Sequence, residues 1–210
     1  GDHGFSNGFS TASLDLKITV IPWSRVYMKI GVIFFSKTDV TGTLATSLIN
    51  GLSASGQATV IKHQIKGSEI IEGRFANLDI IKKLSSCDAI IFGTPTYMGG
   101  VSAQFKAFAD ATSELWCEQE WSGKLAAGFT CGSAINGDQT GTLQYLVTLS
   151  NQHGMLWIGL DSAQGYKDHG INRLGCQLGV VAHSPDGNAN KTDLETAYYL
   201  GNRVFEQVLR

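Results

Sequence analysis

Residues 87–100 read CDAIIFGTPTYMGG. An unbroken apolar run, Ala89-Ile90-Ile91-Phe92, meets Gly93, and Thr94-Pro95-Thr96-Tyr97-Met98-Gly99-Gly100 follow before a helical pattern opens at Ser102. A short continuous apolar run that ends in turn residues fits a strand buried on both faces, as in a parallel sheet. A turn needs only two or three such residues, roughly. The surplus of hydroxyls and glycines around Tyr97 and Met98 therefore points to a ligand.

The same rhythm repeats on either side of this stretch. Apolar strands are predicted at 29–35, 58–64, 88–92 and 125–129, each followed by a loop and a helical pattern. The helices fall at about 43–52, 78–84, 102–114 and 140–153, and Thr112 interrupts the apolar stripe of the third. A fifth strand combines 156–158 with 180–182, and the glycine-rich segment 159–179 is inserted between them. The last helix carries Thr192-Asp193-Leu194-Glu195, a capping-box spacing, with Leu194, Ala197, Tyr198, Val204, Phe205 and Val208 on one face. Five apolar strands alternating with helices predict an α/β doubly wound parallel sheet with helices on both faces.

Met28 opens the first of these strands, and residues 28–210 are read as one domain. Residues 1–27 are read as an N-terminal extension. Residues 1–13 lack the basic start and apolar centre of a signal peptide, while the strict alternation of 14–20 suggests an extra strand. With 43% hydrophobic and 16% charged residues the chain of 210 residues is globular. A net charge of −2 without a basic cluster argues against nucleic-acid or anionic-membrane partners. No apolar run reaches the roughly 18 residues of a membrane span. Cys87, Cys117, Cys131 and Cys176 show no C-x-x-C pair, which suggests reduced thiols in the cytoplasm. The five histidines lack ligand spacing, so no metal is expected.

Loops that follow parallel strands emerge at one sheet edge, where ligands bind at the switch in strand order. Loop 1, Ser36-Lys37-Thr38-Asp39-Val40-Thr41-Gly42-Thr43, offers four hydroxyls and the amides of a helix N-terminus, suited to a phosphate dianion. Alternatively Thr41 or Asp39 simply caps the helix. Loop 2 is the stretch at Pro95–Gly99, and loop 3 is Cys131-Gly132-Ser133-Ala134-Ile135-Asn136-Gly137. Either could be an ordinary turn; three of them on one edge favour a flat ring, with Tyr97 or Met98 against its face. Asp138-Gln139 stand where a Walker loop needs Lys-Ser/Thr, no G-x-G-x-x-G follows the first strand, and no G-x-S-x-G is present. A mononucleotide with one phosphate and a planar ring remains.

These segments resemble flavodoxin-like FMN proteins, particularly the WrbA-type NAD(P)H:quinone oxidoreductases and the related NADPH-dependent FMN reductases. DAIIFGTPTYMGGVSAQFKAF, GKLAAGF and HGM (153–155) occur in family order. The resemblance implies a five-stranded flavodoxin-like sheet, with the FMN phosphate on Ser36, Lys37, Thr38, Asp39, Val40 and Thr41. It places the ring and ribityl chain on Pro95, Thr96, Tyr97, Met98, Gly99, Cys131, Gly132, Ser133, Ala134 and Gly137. His153 is implied near the flavin, and Trp116 over the substrate pocket of a neighbouring subunit, in a homodimer or homotetramer. NAD(P)H would be co-substrate and a quinone the acceptor. Thr38-Asp39 stand where the family has Tyr-Gly, and Tyr97 where it has Arg. A flavodoxin-type electron carrier and an interaction module that has lost its cofactor are the alternatives. His169 is read as a loop residue, and Cys131 as a small residue filling a tight loop.

Overall fold

A computed structural model describes residues 27–162 and 170–210. The expected strand at 14–20 and His169 lie outside the described residues. β1 (Met28–Phe35) leads to α1 (Val40–Leu52), and β2 (Ala58–Ile65) follows. A short hairpin of β3 (Ile70–Ile71) and β4 (Arg74–Phe75), which the sequence reading missed, precedes α2 (Leu78–Ser85). β5 (Ala89–Tyr97) and β6 (Gly100–Val101) lead to α3 (Ala103–Ala111) and α4 (Ser113–Cys117). β7 (Leu125–Gly132), α5 (Gly137–Gln152), β8 (Leu156–Trp157), β9 (Val180–His183) and α6 (Lys191–Val208) complete the chain.

The parallel sheet runs β2-β1-β5-β7, and its fifth position is divided between β8 and β9. β8 pairs with Leu125–Ala126 of β7, and β9 with Phe129–Gly132 further along. The inserted excursion thus leaves and rejoins one strand position, as its sequence suggests. Trp157 Nε1 donates to the Leu178 carbonyl at 2.8 Å, and the Leu160 N–H to that of Gln177 at 2.9 Å, closing its neck. The order turns back between β1 and β5, which is the switch point. No described helix is long and apolar enough to cross a membrane.

Helices cover both faces of the sheet. Ile30, Val32, Phe34, Ile91 and Phe129 pack under α1 and α6; Ile33, Phe35, Ile90 and Phe92 pack under α2, α3 and α5. Burial on both faces explains why these strands read as apolar runs rather than alternations.

Three expectations are corrected. β5 does not end at Phe92 but continues to Tyr97, pairing Pro95 with Cys131 of β7 and then folding back on β6. Ladder bonding to a neighbour outweighs the turn signals of Gly93 and Pro95. The helix expected over 102–114 is two helices broken at Thr112, whose hydroxyl donates to the Ala109 carbonyl at 2.7 Å. Thr192-Asp193-Leu194-Glu195 is not the cap of α6. Asn190 is, its side chain accepting from the Thr192 N–H at 2.9 Å. Asp193 is buried and accepts a bidentate pair from Arg173 at 2.7 Å, plus the His183 N–H at 3.1 Å. Glu195, which a capping box would turn back to the helix start, pairs with Lys191 at 3.6 Å instead, and the donors around Asp193 balance its burial.

α1 and α6 meet backbone to backbone. A Cβ at Gly51 would fall on the Tyr198 carbonyl and one at Gly201 on the Leu48 carbonyl, so both positions require glycine. We expect Gly201→Ala to cost about 1–3 kcal/mol through overpacking. Gly67→Ala, where nothing stands within 4 Å of a new Cβ, should cost far less. Urea denaturation of the two variants compares them directly.

Candidate functional site

Loop 1 leaves the C-terminal end of β1. Ser36 is buried, and its Oγ accepts the Gly42 N–H at 3.1 Å, closing the loop onto the first turn of α1. Lys37, Thr38 and Asp39 are exposed, while Val40 and Thr41 are buried. Asp39 occupies the N-cap position with a left-handed φ of 66° and makes no side-chain cap bond. That conformation favours glycine; aspartate is among the few others that tolerate it. Thr41 does not cap either. Its hydroxyl meets Cys131 Sγ at 3.2 Å, tying loop 1 to loop 3. Ser36 takes the Gly42 amide; with neither Thr41 nor Asp39 engaged as a cap, the earlier amides and the dipole of the helix N-terminus are left at the edge.

Loop 2 is a strand end and a hairpin. Thr96 Oγ1 meets the hydroxyls of Thr130 and Thr142 at 2.9 and 2.8 Å, and Thr94 Oγ1 accepts the Ser102 N–H at 3.0 Å. These hydroxyls are therefore spent inside the protein. The surplus read from the sequence as ligand groups staples β5 to β7, α5 and α3. What the hairpin presents outward is Tyr97, Met98 and Gly99. Met98 and Gly99 form its two-residue turn with φ of 49° and 78°, the positive pair of a type I′ turn. A fully exposed methionine in that conformation is strained, and such strain clusters at ligand sites.

Thr96, Met98, Gly99, Gly132, Ser133 and Ala134 line one open cavity of about 440 Å³. Burial raises the Tyr97 hydroxyl and the Cys131 thiol above their ordinary values; the nearby Cys131 adds to the first, and the Thr41 bond partly offsets the second. Cys131 thus stays a protonated thiol rather than a reactive thiolate. Gly99, Gly100 and Gly137 have nothing within 4 Å of a would-be Cβ, leaving backbone uncovered in loops 2 and 3.

His153 and Trp116 lie together, but apart from the three loops. His153 follows the last residue of α5, and Ser133–Asn136 precede the first; sixteen helical residues separate them by roughly 24 Å. His153 is 1% exposed, with its ring 4.6 Å from that of buried Trp121. Its Nε2 lies 2.8 Å from Thr112 Oγ1. Since the Thr112 proton goes to the Ala109 carbonyl, His153 donates from Nε2, leaving Nδ1 as a buried acceptor without a partner. Trp116, half exposed, shares a cavity of about 270 Å³ with His153, Lys106, Asp110, Thr112 and Tyr145. Sequence reading missed Thr142 and Trp121, because a helix-interior threonine and a core tryptophan carry no local signature.

A doubly wound sheet whose parallel strands run in the order 2-1-3-4-5, with three loops at its switch point, defines a flavodoxin-like fold. The donor set fits FMN: a helix N-terminus for the phosphate, open glycine backbone, and an aromatic and a thioether side chain for the ring. The sequence model of the NADPH-dependent FMN reductases matches residues 28–163. A Pseudomonas aeruginosa protein named flavodoxin FldP is 36% identical over 183 residues, covering 82% of this chain and 92% of its own. An Archaeoglobus fulgidus protein named NAD(P)H dehydrogenase (quinone) is 32% identical over 191 residues, covering 85% and 96%. The crystal structure of a WrbA-like flavodoxin protein from Agrobacterium tumefaciens is 37% identical, with a TM-score of 0.67 over 87% of this chain and 98% of that one. The chain belongs to the NADPH-dependent FMN reductase family.

Two outcomes are expected from this geometry. Met98→Asn, better suited to the left-handed turn, should raise the stability of the flavin-free protein by roughly 1 kcal/mol while weakening FMN binding. Thermal unfolding and a fluorescence titration read the two effects. Burial lowers the His153 pKa from its ordinary value near 6.5, so the unfolded chain binds that proton more readily. Stability should therefore fall as pH drops from about 6.5 toward the lowered value. His153→Gln should remove that part of the slope in urea melts between pH 8 and pH 5.

Proposed function

We propose that this chain is an FMN-dependent oxidoreductase that moves electrons from NAD(P)H to a quinone. The observation that carries the reading is the convergence of loops 1, 2 and 3 at the switch point of this family's fold. Bound FMN would supply the two-electron redox chemistry. The chain's own residues hold and orient it.

Loop 1, with Ser36 and the first turn of α1, would receive the phosphate. Tyr97 and Met98 would lie against the ring, and the glycines of loops 2 and 3 would let backbone amides approach its polar edge. The Thr96–Thr130–Thr142 hydroxyl chain keeps the strand ends rigid, so that the ring meets a preorganised surface. No side chain needs to act as a nucleophile.

We further read the protein as a homodimer or homotetramer. Half-exposed Trp116, at the rim of its own cavity, is available to a neighbouring subunit's flavin. His153 acts within the chain as a positioning residue: through Thr112 it holds the joint between α3 and α4, and α4 carries Trp116. Residues 28–210 constitute the catalytic domain, residues 1–27 an extension. Four free cysteines, three of them buried, support a reducing cytoplasmic location.

The relative named flavodoxin favours a second reading, an electron carrier on the same fold. Purified protein supplied with FMN and desalted should retain yellow flavin, released as FMN on denaturation. It should then oxidise NAD(P)H continuously when a benzoquinone is present. Retained flavin without turnover would favour the carrier. Loss of all flavin on desalting would sink both and leave an interaction module.

A further inference from the structure

Gln139 lies in the first turn of α5, behind loop 3, and is 1% exposed. Its Nε2 donates to the Ala134 carbonyl at 2.6 Å. A carbonyl only accepts, so this bond fixes which end of the amide is which. The other end, Oε1, is buried without a partner. Buried acceptors in folded proteins are almost always satisfied, and one that is not calls for a donor from elsewhere.

The surroundings show that this placement is built. A Cβ at position 132 would stand 2.5 Å from Gln139 Nε2, so the carboxamide packs against the end of β7 only because residue 132 is glycine. Gln139 also lines the cavity of Thr96, Met98, Gly99 and Ser133. On that cavity the Thr96 hydroxyl is already engaged twice. Asp138, the other acidic or amide side chain there, is exposed and has solvent for its donors.

We propose that Gln139 is a cofactor-contacting residue whose Oε1 accepts a hydrogen bond from the ring imide N–H of the bound flavin. This rests on the FMN reading above. The imide carries the one N–H of the oxidised ring system; its other polar ring atoms accept. Gln139 therefore offers the complement of the single donor that the ring possesses. Ala134, to which the carboxamide is bonded, and its neighbours Ser133 and Ile135 are exposed. Bringing the ring edge to Oε1 thus displaces a surface loop and leaves the core intact.

The test compares FMN with N3-methyl FMN, which lacks that donor, by fluorescence titration of the full chain. The wild-type protein should bind FMN about tenfold more tightly than the methylated flavin, as loss of one buried hydrogen bond implies. Gln139→Met, similar in length but without the acceptor, should bring the ratio close to one. Its thermal unfolding without flavin shows whether it folds. If it does not, the wild-type ratio and the imide proton shift of ¹⁵N-labelled FMN decide. Equal wild-type affinity for the two flavins, or an unchanged ratio in folded Gln139→Met, overturns the assignment while leaving the FMN reading intact. Failure of the wild-type protein to bind either flavin overturns both.

Discussion

Strand β5 is paired on both edges, to β1 and to β7, and buried on both faces, and the rest of the structure is arranged around it. Its pairing to β7 continues to Pro95, past the point where that to β1 has ended at Gly93. That extra length carries Tyr97 and Met98 to the open edge. There they stand beside the loops that follow β1 and β7. A shorter β5 would leave the exposed hairpin at Tyr97–Gly100 without a rigid base.

The site's polar groups divide by what they are bonded to. Thr94, Thr96, Thr130 and Thr142 bond to one another or to nearby protein groups, and Thr41 bonds to Cys131. They stiffen the edge and contribute little to recognition. The groups left for a ligand are mostly backbone: the N-terminus of α1, the turn at Met98-Gly99, and the glycines of loop 3. Backbone donors held by regular elements keep their geometry before the ligand arrives, which limits the ordering entropy of binding. The strained Met98 fits the same economy, since a tight turn is what lets its side chain stand fully outside the fold.

A second centre sits at the far end of α5. There Trp121 packs on Phe92 and His153, and His153 is joined to Thr112 at the break between α3 and α4. This cluster fixes the direction of the short helix bearing Trp116. α3 runs from the hairpin at Tyr97–Gly100 to the joint with α4, so Trp116 and that hairpin lie at opposite ends of α3. Within the proposed oligomer they would serve different flavins.

Much was legible in the sequence because parallel strands buried on both faces leave continuous apolar runs, and their count and order carry the fold. The divided fifth strand was legible from two short apolar pieces on either side of a glycine-rich insertion. The three loops were found by composition, and their shared edge follows from parallel topology alone. The sequence could not say that β5 runs on through Gly93 and Pro95, since ladder bonds to a distant strand decide that. Nor could it place the cap of α6 at Asn190, or pair the buried Asp193 with Arg173, twenty residues away in the chain. The roles of Thr41, Thr96 and Gln139 depend on bonds to other elements. Those are non-local contacts, invisible to periodicity and settled only when the sheet brings the strand ends together.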